Sequence, residues 1–370
     1  MKIILVAPYF YPHKGGLEQY CWEIATRLSN LGHEITVITS QSKNEKESEN
    51  SKGFKIVRLK SWNLLNGRWP LPKFSRENYK ILKEIYKQKP DITINNTRFF
   101  PICLMVGRFS KKLRVKVIHI EHGTCYPKME SKFKSFLAKF YDDTFGRWTI
   151  SLADEVIGIS QAAAEFAKKL GVKNPKVIYN SVDTDFFKPK NDKQSTGQIT
   201  FVGRLIEAKG IQDLIQVFKT IQNDNLVLNI VGQGFYEAQL KIMAKKDPRI
   251  KFLGEKKQSE IRDMLMTTDI FINPSYSEGL PTSVLEAGAM GLGVIATDVG
   301  GTKEIINDEE NGFLFEPKDK EVLKEKLLWL INNQAQREEM GQKLRQKIEN
   351  QFDWDKNIDK LIKIIKLCVN

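Results

Sequence analysis

Cysteine and histidine are the scarce residues of this 370-residue chain, four of each. Cys21, Cys103, Cys125 and Cys368 form no pair at zinc-ligand spacing, and isolated thiols of this kind suit a reducing cytosol. His13, His33, His119 and His122 make no H-E-x-x-H pattern, so no zinc centre is expected. No run of about 18 uncharged apolar residues occurs, which leaves no candidate for a membrane-spanning helix. The opening "MKIILVAPYFYP" has too short an apolar run for a secretory leader, and no small-residue cleavage site follows it. It reads as a first buried strand. Low-complexity tracts and fixed-period repeats are also missing. Acidic residues are short in one half only. Residues 1–180 hold 31 Lys and Arg against 16 Asp and Glu, whereas residues 181–370 hold 27 against 29. The whole excess of +13 therefore lies in the first half, and such a basic half seeks phosphate, on nucleic acid, lipid or a small ligand.

What the chain does have is alternation. "KIILVA" (2–7), "EITVIT" (34–39), "DITI" (91–94), "VKVIHI" (115–120), "EVIGIS" (155–160) and "KVIY" (176–179) predict strands. So do "QITFVG" (198–203), "LVLNIVG" (226–232), "IKFLG" (250–254), "IFINPS" (270–275), "GVIAT" (293–297) and "GFLF" (312–315). They are rich in Ile and Val without strict alternation, as in parallel sheets buried on both faces. Helical spacing fills the gaps, as in "LEQYCWEIATRLSNLG" (17–32), which stops at Gly32. The polar stretch 183–198 reads as a linker, and 352–368 as a last amphipathic helix. Two α/β, doubly wound, Rossmann-like domains are expected, residues 1–181 and 182–351, with a crevice between them. Ligands in such folds sit at the carboxyl ends of the strands.

Several stretches carry chemistry at those ends, each with a plainer reading beside it. "NPSYSEGLPTSVLEAGAMGLGVIAT" (273–297) holds Glu278 on a strand-to-helix loop and Glu286 one to two turns into the helix, and no other charge. The helix start, with Gly279, Leu280, Pro281 and Thr282, is a ready anion site. Two carboxylates beside it make sense as grips on sugar hydroxyls. The plainer reading is one acid stabilised by the helix dipole and one satisfied core acid. In "FVGRLIEAKG" (201–210), Arg204 and Lys209 follow a strand end and would neutralise a diphosphate, or else are solvated surface cations. Gly15 and Gly16 separate the first strand from the first helix without forming G-x-G-x-x-G or a Walker A loop. They admit a phosphate close to the backbone, or simply make a tight turn. His122 closes a strand in "HIEHG", where active sites gather, whereas His119 sits inside the strand as a core residue. "DTD" (183–185) and "DWD" (353–355) match a metal-nucleotide spacing, but one opens the linker and the other caps the last helix, so no metal is expected at either.

Taken together these residues resemble the retaining family-4 glycosyltransferases of the GT-B fold. "HKGGLE", "HG", "YNSVDTDFF", "FVGRLIEAKG", "VGQGFYEAQLK", "SEGLPTSVLEAGAMGLGVIATDVGGTKEII", "NGFLF" and "FDWD" stand in that family's order, and Glu278 and Glu286 match its E-x7-E signature. The resemblance implies roles. Glu278 would contact the hydroxyls of the donor sugar and Glu286 the ribose. Arg204 and Lys209 would hold the diphosphate, with backbone from Gly16 and residues 279–282. His122 would line the sugar near the reacting carbon, and the nucleobase would lie against Gly232 and Lys256–Lys257, the latter ending at Lys257. The final helix would cross back to the N-terminal domain. Ser181, Gly288 and Gly293 depart from the family pattern and are expected to alter loop stiffness rather than the charged set.

The implied enzyme moves a sugar from a nucleotide sugar, UDP-linked by preference, to an acceptor hydroxyl with retention and without a metal or other cofactor. An epimerase or hydrolase on the same architecture is the enzymatic rival. A basic nucleic-acid-binding protein is the other, although no helix-turn-helix, finger or RNA-binding signature supports it, and no nucleic-acid partner is expected. Within residues 51–150, 22 Lys and Arg stand against 7 Asp and Glu. "KSWNLLNGRWPLPKF" places Trp62, Trp69 and Phe74 among Lys60, Arg68 and Lys73. "YPKMESKFKSFLAKFY" places Phe133, Phe136, Leu137 and Phe140 beside Lys128, Lys132, Lys134 and Lys139. Aromatic bodies with basic neighbours suit an anionic lipid interface. This predicts a cytoplasmic enzyme, peripheral on the membrane, with a lipid-linked or envelope glycan as acceptor. The alternative is a soluble basic surface with the aromatics in the core.

Overall fold

The computed structural model describes residues 1–13, 15–41, 45–64, 69–127, 131–189, 195–245 and 247–369. They group into two compact units, Met1–Ile178 with Ile358–Asn370, and Tyr179–Asn357.

The first unit is built on β1 (Lys2–Val6), β2 (Glu34–Ser40), β3 (Ser48–Ser51), β4 (Phe54–Leu59), β5 (Ser61–Leu64), β6 (Trp69–Pro72), β7 (Ile92–Asn96), β8 (Lys116–Glu121), β9 (Glu155–Gly158) and β10 (Lys176–Val177). Eight of these form one sheet in the order β10-β9-β8-β7-β1-β2-β4-β3. Every pairing in it is parallel except β3 with β4. All five residues of β7, and Ile3 to Val6 of β1, are buried, as expected for strands covered on both faces. Ile4, Val6, Ile38, Val57, Leu82 and Val106 meet in its core. Each such side chain contributes roughly 1.5–3 kcal/mol on burial.

The second unit carries β11 (Gln198–Val202), β12 (Val227–Val231), β13 (Ile250–Phe252), β14 (Ile270–Asn273), β15 (Gly293–Thr297) and β16 (Phe313–Phe315). They form one parallel sheet in the order β13-β12-β11-β14-β15-β16. Phe201, Leu214, Phe218, Ile230, Ile272 and Ile295 fill its core. In both sheets the chain reverses its direction of growth beside the first strand, between β1 and β7 and between β11 and β14. The carboxyl ends at these switch points are where loops diverge and leave room for a ligand.

All twelve strands expected from the sequence are present. The antiparallel hairpin β5–β6 and the strands β3 and β4 were not expected. Lys55 and Arg58 break the apolar run of β4. Arg58 is nevertheless buried: its guanidinium pairs with Glu49 at 2.6 Å and Glu45 at 3.4 Å and donates to the carbonyl of Tyr11 at 2.7 Å.

The stretch expected to be a linker is largely folded onto the second unit. Phe187 is fully buried, Val182 bridges to Asp353, and Thr184 Oγ1 donates to Asp353 Oδ2 at 2.7 Å. The amides of Thr196 and Gly197 both donate to Asp269 Oδ2, at 2.7 and 2.6 Å. Residues 190–194 of that stretch lie outside the described residues. The three departures from the family pattern act in packing, not in loop stiffness. A Cβ on Gly288 would come within 2.3 Å of Ile348, and one on Gly293 within 2.5 Å of Arg337, so both glycines let the Gln334–Gln351 helix lie close. Ser181 Oγ accepts from Asn357 Nδ2 at 2.8 Å at the start of the last helix.

Candidate functional site

In the second unit the switch-point loops carry the predicted charges. The loop after β11 tightens into a short turn at Glu207–Lys209, and the loop after β14 runs into the helix Thr282–Ala289. The amide of Tyr276 donates to the carbonyl of Ala208 at 2.8 Å and ties the two loops together. The Tyr276 hydroxyl donates to Asp213 Oδ2 at 2.6 Å and accepts from Gln212 at 2.7 Å, which fixes the second loop to the helix after the first. Two glycines are required here. Gly210, at φ 65°, lies so close to Pro274 that a Cβ would be 1.9 Å from its carbonyl oxygen. Gly300, at φ 58°, stands in the same relation to the carbonyl of Glu278.

The result is an ion pair that sequence reasoning did not anticipate. Lys209 Nζ donates to Glu278 Oε1 at 2.6 Å, with both side chains mostly shielded from water, and Asn273 Nδ2 reaches the same oxygen at 3.4 Å. Arg204, on the same loop, is exposed and makes no ion pair among the described residues. Pro281 stands immediately before the helix that follows, at its N-cap position. The amides of Val284 and Leu285 both turn back to the Pro281 carbonyl. The N–H groups of Thr282 and Ser283 stand at the open end of the helix, where amides have no intrahelical acceptor. Asn180 Nδ2 donates to Thr282 Oγ1 at 2.9 Å and to the Leu280 carbonyl at 3.3 Å, bracing that end.

Glu286, one turn further in, is 8% exposed and has no hydrogen bond or ion pair among the described residues. Burial alone pushes its carboxyl up to about 8. An unsatisfied carboxyl next to an open helix start is poised to accept hydrogen bonds from a ligand's hydroxyls. Gly232 follows β12, with its amide donating to the Gly254 carbonyl at 2.8 Å. Lys257 is exposed and caps the helix Gln258–Leu265, its amide donating to Glu260 Oε2 at 2.8 Å.

In the first unit, Gly15 precedes and Gly16 opens the helix Gly16–Asn30 after β1. Gly15 is extended and Gly16 is not at positive φ, and a Cβ on Gly16 would meet nothing within 4 Å. Neither backbone strain nor packing demands a glycine at 16. His122 follows β8, and its Nε2 lies 3.3 Å from Asn96 Oδ1 at the end of β7. Asn96 Nδ2 donates to the Val6 carbonyl at 3.0 Å, so the ends of β1, β7 and β8 are laced together. That orientation of the amide makes Oδ1 the acceptor and puts the ring proton on Nε2. Burial holds the imidazole down at about 4, so it is neutral at physiological pH and its Nδ1 can only accept a hydrogen bond. The Tyr20 ring meets it edge-on at 4.8 Å.

Beneath this turn lies a buried charge network that sequence reasoning missed. Arg98 donates to Glu121 Oε1 at 2.6 Å and to Asp142 Oδ2 at 2.7 Å. Glu121 also accepts the Gly123 amide at 2.7 Å and faces His119 Nε2 at 3.3 Å. Burial drives the Glu121 carboxyl up, but Arg98, His119 and the Gly123 amide outweigh it and hold the group down at about 2. His119, read as a satisfied core residue, is part of this network. The signal was legible only as "IEHG" beside an unassigned arginine 23 residues earlier.

The two aspartate triplets are occupied locally. Asp183 Oδ1 caps the Phe186 amide at 2.8 Å, and Asp353 Oδ1 caps Asp355 at 2.9 Å. Among the described residues no three His, Cys, Asp or Glu side chains gather as metal ligands.

The profile of the glycosyl transferases group 1 matches residues 182–347, and that of glycosyltransferase family 4 matches residues 14–186. An uncharacterized glycosyltransferase of Methanocaldococcus jannaschii is 30% identical over 391 residues, spanning 100% of this chain and 99% of the relative. The UDP-Gal:alpha-D-GlcNAc-diphosphoundecaprenol alpha-1,3-galactosyltransferase of Escherichia coli is 29% identical over 307 residues, 76% of each chain. Among solved structures, Anabaena HepE in complex with UDP superposes with a TM-score of 0.79 at 18% identity, over 99% of this chain and 100% of that one, a likeness of fold.

Proposed function

This chain belongs to glycosyltransferase family 4, and on that premise we propose that it transfers a sugar from a nucleoside-diphosphate sugar to a lipid-linked or envelope glycan hydroxyl, with retention and without a metal. It is a GT-B glycosyltransferase. The observation that supports the finer reading best is the switch-point site of the second unit. There a shielded Lys209–Glu278 pair stands beside an open helix start, and the unpartnered Glu286 lies in that same helix. UDP is the favoured nucleotide because the E. coli relative is named for a UDP-sugar donor and HepE was solved with UDP. A lipid-linked acceptor is favoured by the diphosphoundecaprenol named for that same relative.

In the proposed reaction the bond between the anomeric carbon and the diphosphate oxygen breaks as the acceptor oxygen bonds to the same face of that carbon. The acceptor proton passes to the departing phosphate oxygen. Arg204 and Lys209 stabilise the charge that develops there, a contribution of about 10²–10³ in rate for one well-placed donor. Glu278 is shared between Lys209 and the sugar hydroxyls. Glu286 accepts from the ribose, and the backbone of residues 279–282 cradles the phosphates. Gly232 and Lys257 are assigned to the nucleobase, and Gly15, Gly16 and His122 of the first unit to the phosphate and sugar. His122, being neutral, would act as a hydrogen-bonding and packing group.

A thermal-shift screen over UDP-, GDP- and ADP-sugars tests the donor, since tight binding raises the melting temperature by mass action. Transfer in EDTA, with the anomeric configuration of product and donor compared by NMR, tests the rest. Release of free sugar with every acceptor offered would favour a hydrolase. An inverted product would refute the retaining reading.

A further inference from the structure

We propose that the helix Lys132–Tyr141, together with the β5–β6 hairpin, forms a face by which the first unit docks on an anionic lipid surface. The inference is independent of the sugar chemistry. It starts from a conflict in this helix. Phe133, Phe136, Leu137 and Phe140 recur at helical spacing, as core residues do, yet they are 69%, 64%, 48% and 59% exposed. Ala138 is the one buried residue of the helix. The apolar stripe points outward, so the aromatics are not in the core. Contiguous exposed apolar surface of this kind marks an interaction site.

The face extends beyond the helix. Tyr141 packs on Trp69 of the hairpin at 5.6 Å and stacks on Phe145 at 5.3 Å. Trp62, Leu64 and Phe74, on and beside the hairpin, and Phe145 and Trp148, beyond the helix, add further exposed apolar groups. Charge selects the partner. The helix carries Lys132, Lys134 and Lys139 and no acid. Lys139 pairs with Asp143, whereas Lys132 and Lys134 are exposed and make no ion pair among the described residues. Lys73 lies over the Trp62 ring at 5.9 Å. Apolar bodies with long basic side chains between them suit a headgroup layer, into which the rings sink while the ammonium groups stay at phosphate level. A second copy of the chain is a poorer occupant, because an isologous contact would set this basic face against itself. The face is narrower than the basic stretch 51–150. Arg58 and Arg98, counted in that excess, are buried in internal ion pairs. Arg68 and Lys128 lie outside the described residues.

Sedimentation with vesicles tests the proposal, comparing phosphatidylcholine containing one-third phosphatidylglycerol with phosphatidylcholine alone. Each lysine near an anionic surface strengthens binding roughly fivefold, and each inserted Phe roughly tenfold or more. The full chain should pellet with the anionic vesicles at low salt and much less at high salt or with neutral vesicles. Phe133→Ser/Phe136→Ser/Phe140→Ser should weaken pelleting at least tenfold, and Lys132→Glu/Lys134→Glu comparably. These residues are exposed, so the melting temperature and UDP binding should match wild type, which separates lost docking from lost folding or lost donor binding. Three results would overturn the proposal: negligible pelleting of wild type with both vesicles, pelleting of the triple Ser variant equal to wild type, or a wild-type dimer that the triple Ser variant dissolves with no lipid binding.

Discussion

Glu286→Gln should make the protein more stable and a worse enzyme, and the first effect should depend on pH. In the folded chain burial pushes this carboxyl up to about 8, whereas in the unfolded chain a Glu titrates at roughly 4.3. Between those values the folded state keeps a proton that the unfolded state has released. The folded state therefore binds more protons, and its stability falls as pH rises through that window. The penalty is absent well below pH ~4 and complete above pH ~8. Linkage puts it at about 1 kcal/mol at pH 5, about 2 at pH 6 and about 5 at pH 8, as upper figures for a group with this burial. Glutamine keeps the shape and does not titrate, so the variant lacks the penalty. Denaturant titrations of wild type and variant, followed through the transition of the second unit, should show a gap that widens from pH 5 to pH 8. A gap independent of pH, or a wild type more stable than the variant at pH 8, would refute the reasoning. The cost appears on binding. A hydrogen bond to a charged group is worth roughly 1.5–3 kcal/mol, so donor affinity should fall about tenfold to hundredfold. Wild-type affinity should rise with pH toward about 8, because the ribose hydroxyls need the ionised carboxylate as acceptor, and the variant should lose that dependence. A site kept unsatisfied for its ligand trades stability for function.

Arg204→Ala and Lys209→Ala should each lower kcat about 10²–10³-fold with activity surviving EDTA; strict magnesium dependence with rates insensitive to either change would move the charge role to a metal. Gly300→Ala adds a Cβ 1.9 Å from the Glu278 carbonyl at φ 58°, so kcat should drop more than tenfold as Glu278 is displaced; normal kinetics would show that the loop need not hold that geometry. Arg98→Ala leaves Glu121 and Asp142 buried without their cation, which should cost roughly 3–5 kcal/mol in the unfolding of the first unit, read by chemical denaturation. A change under 1 kcal/mol would mean that the network is not holding the turn.

The strands were legible because a sheet buried on both faces favours Ile- and Val-rich runs, which β1, β14 and β15 have, whereas β7 was legible from Ile92 and Ile94 although Thr93, Asn95 and Asn96 are buried beside them. β4 was not legible because its one fully buried cation, Arg58, looks like surface in a sequence. Only its partners Glu45 and Glu49, nine and more residues away, make it core. The hairpin was hidden for a different reason: Pro70 and Pro72 discourage a strand assignment, yet both sit on a two-stranded ribbon where few ladder bonds are needed.

The site divides in the same way. Local chemistry is written in local spacing, so Glu278, Glu286, Arg204 and Lys209 could be found as loop and helix positions after strand ends. What spacing cannot carry is which of them neutralise one another. Lys209 and Glu278 are 69 residues apart and meet because β11 and β14 are neighbours in the sheet. Glu286 meanwhile has no ion pair among the described residues: Lys209 is taken by Glu278, and Arg204 is exposed. A lone acid in an apolar helix therefore reads as core by sequence, and as a ligand-ready acceptor only once the structure has shown that no cation among the described residues pairs with it.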